Sequence, residues 1–284
     1  LKTMRDRGKH WLAMAEAYAA PKAKVAAAIR PSPRPPVAVR PRQLSITEIQ
    51  KLIRDPYAIY ARHILKLAPL DPLRPEADPR LRGTVLHKIL ETYLREGEGG
   101  EAALMSIADR VLEAEVAWPL ARAIWRARIE KAAPGFLAFS ADTGGKPVLV
   151  EERGAVTLQG QDFTLKGKPD RIDMLDDGRL LIIDYKTGAP PSAEQQKHFD
   201  RQLYLAAAMA ENGAFAGLPL AEVAKLAYVG VKADFKVSPV DLEPGEVTRV
   251  WEEFKDLIAA YARPTRGYSA RAAMAKDSDA SDYD

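Results

Sequence analysis

The sequence predicts an α/β domain built on one mixed central sheet flanked by helices, with an extra helical segment ahead of it. Three observations lead there. Helical spacing of apolar residues dominates from Leu44 to about Ala141. The period changes at Gly144-Gly145, after which VLVEERGAVTLQ, FTLKGKPDRIDML and RLLIIDYK read as three successive strands, with Gln159-Gly160-Gln161 and Asp176-Asp177-Gly178 as turns. Helix, strand and helix then follow, an order that suits a single mixed sheet.

Trp11 to Ala28 is Ala-rich and helix-prone, interrupted by Pro21. Residues 31–41, PSPRPPVAVRP, hold five prolines, and 31–43 are expected to form an extended linker with no core of its own. The compact domain is expected over residues 44–265. It opens with a helix running through Tyr60, where Ser45 or Thr47 is the cap and Glu48 completes a capping box. Asp71–Pro79 is a Pro-rich loop. Helices follow from about Arg80 to Arg95, over 101–117, and over 119–141 from Pro119, with GEGG at 97–100 as the first break. Beyond the meander come a helix over Ala193–Asn212, a strand over 225–231 and an amphipathic helix over 246–261. Residues 266–284 end in DSDASDYD and are expected to be a flexible acidic tail.

Composition removes several classes. The 284 residues include no Cys, which excludes a disulfide scaffold, a Cys-ligated zinc site and a thiolate-held iron–sulfur cluster, and suits a reducing compartment such as the cytoplasm. No window approaches 18 consecutive apolar residues, so no membrane partner is expected. The net charge of +3 hides an asymmetry: residues 1–42 carry ten Lys/Arg against two Asp/Glu, leaving 32 against 37 for the rest. A basic arm on a mildly acidic body suits contact with a polyanion. The chain begins with Leu, and reads as a piece of a longer one.

The chemistry concentrates in Gly167-Lys168-Pro169-Asp170-Arg171-Ile172-Asp173 and Leu181-Ile182-Ile183-Asp184-Tyr185-Lys186-Thr187-Gly188. LLII is apolar on both faces, as a central strand is. Alternation puts Asp184 and Lys186 on one face and turns Tyr185 away, leaving its carbonyl available. An antiparallel turn at 176–178 would bring Asp170 beside Asp184. Two such carboxylates repel unless a cation lies between them. Mg2+ takes one or two carboxylates and keeps waters for a phosphate-bearing substrate. Lys186 cannot be a ligand while protonated; it can stabilise charge on a phosphoryl oxygen, or orient and deprotonate the attacking water.

These segments resemble the PD-(D/E)XK nuclease superfamily in its RecB-like branch. Pro169-Asp170 matches "PD" and Asp184-Tyr185-Lys186 matches "(D/E)XK". Arg82-Gly83-Thr84-Val85-Leu86-His87 resembles the branch's R-G-x-x-x-H segment, and Gln202-Leu203-Tyr204 its Gln-containing motif. Leu44–Ile49 and Asp55-Pro56-Tyr57-Ala58-Ile59-Tyr60-Ala61-Arg62 resemble the nuclease region of AddB-type helicase–nuclease subunits, particularly the alphaproteobacterial type. The resemblance covers about residues 40–265. It implies a restriction-endonuclease-like core and a helicase-like region upstream of residue 30. It also implies a metal site of Asp170, Asp184, the Tyr185 carbonyl and His87, with Lys186 and Gln202 completing the catalytic set. Many relatives place the first of four cluster-binding cysteines where Asp55 stands; here no iron–sulfur cluster is expected.

By itself, a histidine beside a buried helix face, as His87 is, is more often a core residue; as a ligand it would make the site friendlier to Mn2+. Gln202 reads equally as a bridge to the site or an exposed helix glutamine. Glu91 reads as a solvated charge and Tyr204 as packing. Glu151 and Glu152 stand on the first strand, where only one can face the site, and neither enters the expected set. Arg82, Arg171, Lys168, Arg201, Lys166 and Lys197 lie near the motifs and form a candidate DNA-binding group. The expectation is therefore a Mg2+-dependent deoxyribonuclease of exonuclease type. It would act on single-stranded DNA with an AddA-like partner during the resection of broken ends. The rival is an inactive nuclease fold that binds DNA or docks a partner.

Overall fold

The computed structural model describes residues 2–283 except 22, 24, 25, 71, 72, 97, 98, 189, 193, 194, 196–200, 232–234 and 275–282. The chain divides into two compact units, Leu1–Pro31 and Ser32–Asp284. The first holds α1 (Lys2–Ala19), none of whose residues is buried.

In the second unit β1 (Gln43–Ser45) leads into α2 (Ile46–Arg54) through the expected capping box. Glu48 N–H donates to Ser45 Oγ at 3.2 Å, and Ser45 N–H donates to Glu48 Oε2 at 2.9 Å. The helix does not run on to Tyr60. Pro56 lacks an N–H and disfavours helical backbone before it, so Asp55 turns out of the helix and α3 (Pro56–Ile59) starts anew, running into a π turn at Tyr60–Ile64. Asp55 is buried, and its Oδ1 accepts from Arg271 N–H at 3.0 Å.

Three helices follow: α4 (Pro79–Glu96), α5 (Gly100–Glu115) and α6 (Pro119–Ala141). The strands are β2 (Gly145–Val150), β3 (Gly154–Thr157), β4 (Thr164–Gly167), β5 (Arg171–Leu175) and β6 (Leu180–Lys186). Next come α7 (Gln202–Glu211), β7 (Val223–Gly230), β8 (Lys236–Val240) and α8 (Glu246–Tyr261). Most of the expected helix before Gln202 lies outside the described residues. β8 has no counterpart in the sequence reading.

The single expected sheet is two. One has the order β2-β5-β6-β7-β8 and the other β1-β4-β3. Two of the three expected strands break where the chain changes sheet. The first breaks after β2, where Glu151 takes φ 52°, and the second between β4 and β5 at Pro169, which cannot donate to a ladder. β5 and β6 are antiparallel and β6 and β7 parallel.

β6 is buried on both faces. Leu180 and Ile182 join a core with Ile49, Leu203 and Phe254, drawn from α2, α7 and α8. Leu181, Ile183 and Tyr185 join a second core with Ile89, Ala108 and Phe136, drawn from α4, α5 and α6. Each such side chain contributes roughly 1.5–3 kcal/mol of burial free energy, so the strand end carrying the motif is held rigidly from both sides.

Two boundary expectations are corrected. The Pro-rich stretch is no free linker: from Ser32 onward it belongs to the compact unit. The buried Arg40 donates from Nη1 to Tyr261 O at 2.7 Å and to Arg263 O at 3.0 Å. Residues 266–274 are likewise no flexible tail, since Tyr268 is buried and donates its N–H to Pro33 O at 2.9 Å. The acidic end itself lies almost entirely outside the described residues.

Candidate active site

The register of β5 on β6 pairs Arg171 with Ile183 and Ile172 with Ile182; extended by one residue, it sets Asp170 opposite Asp184. Asp170 is fixed from the main chain. Its Oδ2 accepts from Tyr185 N–H at 2.6 Å, and its carbonyl accepts from Glu151 N–H at 3.0 Å.

Asp184 and Lys186 share a face of β6, as alternation requires. Lys186 Nζ lies 2.7 Å from Asp184 Oδ2 and donates to Gln202 Oε1 at 3.3 Å, while Gln202 Nε2 donates to Asp184 Oδ1 at 2.6 Å. Gln202, at the start of α7, therefore ties the carboxylate and the ammonium together. The ammonium also sits 5.3 Å from the centre of the Tyr228 ring. Asp184 is only 4% exposed. Burial first, and the charge of Asp170 second, push its carboxyl up to about 7, against the pull of Lys186.

His87 comes from the middle of α4. Its Nδ1 lies 3.0 Å from Glu151 Oε1 and 3.3 Å from Asp170 Oδ1, and its Nε2 lies 3.0 Å from Tyr185 O. Burial alone would lower the pKa of this imidazole, but hydrogen bonds to Asp170 and Glu151 raise it to about 10. The ring thus faces three oxygen atoms. Gly83, on the same helix, is not forced by close packing: an added Cβ would lie 3.8 Å from Thr187 Oγ1, an ordinary contact.

His87, Glu151 and Asp170 each offer a ligand atom within 4.8 Å of the others. Asp184 stands outside that group, held by Lys186 and Gln202. Glu151 is the residue the sequence reading left out. Alternation gave it no direction, because its left-handed φ breaks the strand there and brings the carboxylate back toward Asp170. The available signal was Glu-Glu-Arg-Gly, a charged interruption inside a β-rich run. Glu151 also pairs with Lys168 Nζ at 2.6 Å, and its own pKa is lowered: burial opposes ionisation, but His87 and Lys168 outweigh it. Glu152 is exposed.

The donor set fits a hard divalent cation: carboxylates, one main-chain carbonyl and an imidazole. Asp184 supports the fit: the pKa of its carboxyl is raised by burial and then by the nearby Asp170, a repulsion that a cation between the two would offset.

The candidate DNA-binding group separates. Arg171 is corrected: it is fully buried, with Nε and Nη2 donating to Asp173 at 2.6 Å each and Nη1 to Ser140 Oγ at 2.9 Å, so it meets no solvent-borne ligand. Lys168 borders the cleft in its pair with Glu151. Arg201 lies 3.4 Å from Glu253 and over the Tyr204 ring, away from the cleft lining. Arg82 lines a separate cavity of about 420 Å³ with Arg128 and Trp125. Lys166 is exposed on β4, and Lys197 lies outside the described residues. Glu91 pairs with Arg95 at 3.1 Å, and Tyr204 is buried with its hydroxyl on Asp241 O at 3.0 Å.

Fold and site together define an α/β domain that gathers carboxylates and one lysine at the end of a doubly buried strand. The family model of the PD-(D/E)XK nuclease superfamily matches residues 43–281, and the chain belongs to that superfamily. An uncharacterised protein of Rickettsia bellii (strain RML369-C) is 29% identical over 164 residues, covering 55% of this chain and 20% of that protein. An uncharacterised protein of Rickettsia conorii (strain ATCC VR-613 / Malish 7) is 29% identical over 168 residues, covering 55% and 20%. An ATP-dependent helicase/deoxyribonuclease subunit of Streptococcus equi subsp. zooepidemicus (strain MGCS10565) is 24% identical over 163 residues, covering 53% and 14%. The match thus spans a fifth or less of each of these relatives. Among the described residues no helix is long and apolar enough to cross a membrane.

Proposed function

We propose that this chain is the metal-dependent DNA nuclease domain of an AddAB-type helicase–nuclease. It hydrolyses phosphodiesters of single-stranded DNA, as an exonuclease, while broken ends are resected in the cytoplasm. The observation that carries the reading is the convergence of Asp170, Asp184 and Lys186 at the end of β6, with Gln202 bridging acid and ammonium. The similarity to a helicase/deoxyribonuclease subunit supports the assembly and an AddA-like partner.

Asp170, Asp184, the Tyr185 carbonyl and His87 would hold Mg2+, or Mn2+, with Glu151 beside them. Such a cation supplies Lewis acidity to the phosphoryl group and acidifies water. Lys186, paired with Asp184, stabilises the negative charge that builds on the phosphoryl oxygens during attack. Gln202 prevents the ammonium from swinging out of line. The hydrogen bond from Tyr185 N–H holds the Asp170 carboxylate in place, so little reorganisation is left for the moment of reaction. The cleft brings Arg153, Lys166 and Lys168 beside Asp170 and Asp184, cations that suit phosphate contacts, which carry no sequence preference.

Incubation of the purified 284-residue chain with an end-labelled single strand and Mg2+ tests the reading. Degradation that stops on addition of chelator is the expected outcome. Binding without any cleavage under Mg2+ or Mn2+ would favour an inactive DNA-handling module instead.

A further inference from the structure

The catalytic cleft, about 610 Å³, opens beside a second cavity of about 570 Å³, and the two share Ser45 and Lys166 as walls. Between them lies the outer face of the small sheet. Ser45 and Ala155 both register with Lys166, and Gln43 and Thr157 both register with Thr164. Partners in register point the same way, as do residues two apart on a strand. That face therefore carries one ammonium, hydroxyls and an amide, and no carboxylate, while Leu44 and Leu165 are buried on the other side.

Beyond Asp170 and Asp184 at the cleft end, charge along this path is mostly positive. Among the described residues, Arg153 and Lys166 in the cleft and Lys66 in the second cavity enter no ion pair. Away from Asp170 and Asp184, the neighbouring carboxylates already have partners: Glu151 has Lys168 at 2.6 Å and Asp162 has Arg42 at 2.7 Å, while Glu48 has Arg62 at 3.6 Å and a hydrogen bond with His63 at 2.8 Å. Unmatched cations that line a groove in this way attract a polyanion, and evenly spaced phosphates satisfy several of them at once.

We propose that the outer face of β1-β4-β3 is a phosphate track. It carries the nucleic-acid strand from the catalytic cleft over Lys166 into the cavity of Arg42 and Lys66. The inference rests on the nuclease reading and adds to it a path, a direction away from the metal-site carboxylates, and the residues that hold the strand there. The contacts are to phosphate, so the track reads no sequence.

The test is fluorescence anisotropy with oligothymidylates of roughly 4 and roughly 16 nucleotides, the span over which single-strand sites usually extend. Binding is measured in chelator with the 284-residue chain, its Lys66→Glu/Lys166→Glu variant and a Lys131→Glu charge control. Lys66 and Lys166 are exposed, and thermal melting checks that the variant is folded. The expected result is at least a tenfold loss of affinity for the long strand in the double variant, a smaller loss for the short one, and no loss in the control. The slope of log affinity against log salt should also fall by about 1.4, at roughly 0.7 per phosphate contact on a single strand. Unchanged long-strand affinity in the double variant, or an equal loss in the Lys131→Glu control, overturns the track. Cleavage by the unaltered chain with Mg2+ is run alongside. If cleavage persists while the double variant binds normally, the track alone is wrong; if the unaltered chain neither cuts nor binds, the nuclease reading fails with it.

Discussion

The carboxylate of Asp170 is hydrogen-bonded at 2.6 Å to the main-chain N–H of Tyr185, the residue lying between Asp184 and Lys186. One strand thus anchors its acid on the backbone of the next, at the only point between the other two members of the motif. The distance between the two acids is set by the β5–β6 register rather than by flexible side chains. Their mutual repulsion is built into the fold and, second to burial, raises the pKa of the Asp184 carboxyl.

Removing either partner of the Asp184–Lys186 pair should stop catalysis while leaving the domain folded. Asp184→Ala and Lys186→Ala are each expected to lower the cleavage rate by at least about 10²–10³-fold, the range for losing one preorganised electrostatic contact. Circular dichroism and melting temperature serve as controls for folding. Full activity in either variant would remove that residue from the mechanism.

Glu151 is expected to act through His87 and the cation rather than on the substrate. Glu151→Gln keeps size and shape but removes the charge facing His87 and Lys168. The apparent affinity for Mn2+, read by calorimetry, should weaken by roughly 10–100-fold, as for other groups that orient metal ligands. A variant that binds Mn2+ as tightly as the unaltered chain would make Glu151 a bystander.

The Arg171–Asp173 pair is structural. Both side chains are fully buried and joined by two hydrogen bonds. Arg171→Ala leaves Asp173 buried without its cation, a change that costs about 3–5 kcal/mol. Urea denaturation should show a loss of that size, whereas a drop in DNA affinity at unchanged stability would restore Arg171 to the binding group.

Acid sensitivity should trace in part to Glu48. Burial would raise its pKa above the ordinary 4.5, but hydrogen bonds from Ser45 and His63 outweigh this and lower it. A carboxyl depressed in the folded state stabilises it above the unfolded value, and that contribution disappears as pH falls through the folded value. Unaltered protein should therefore exceed Glu48→Gln in stability by about 1 kcal/mol near neutrality, the usual worth of a helix cap. The gap should begin to close as pH falls below the ordinary 4.5 and vanish once pH has passed the depressed folded value. A constant gap across this range in denaturant titrations would assign the difference to packing.

Much of the site was legible because it follows local rules. Alternation along LLIIDYK fixed the shared face of Asp184 and Lys186, and the turn at 176–178 fixed the antiparallel return that places Asp170. Ser45 and Glu48 announced their helix start by spacing alone. What escaped depends on chain reversals and distant partners. Glu151 enters the site only through a left-handed backbone. Arg40 docks the Pro-rich stretch on carbonyls at Tyr261 and Arg263, which no local pattern reveals. Arg171 looked like a surface cation beside a motif. Its i,i+2 spacing from Asp173 on a strand was the overlooked sign that both point into the same interior.

The central claim is that Asp170 and Asp184 share a divalent cation with the Lys186 ammonium alongside. Anomalous diffraction from crystals soaked in Mn2+ tests it most directly. The account predicts a manganese peak in contact with both carboxylates and with Tyr185 O, near the side chain of His87. A peak elsewhere, or none at saturating Mn2+, would contradict it.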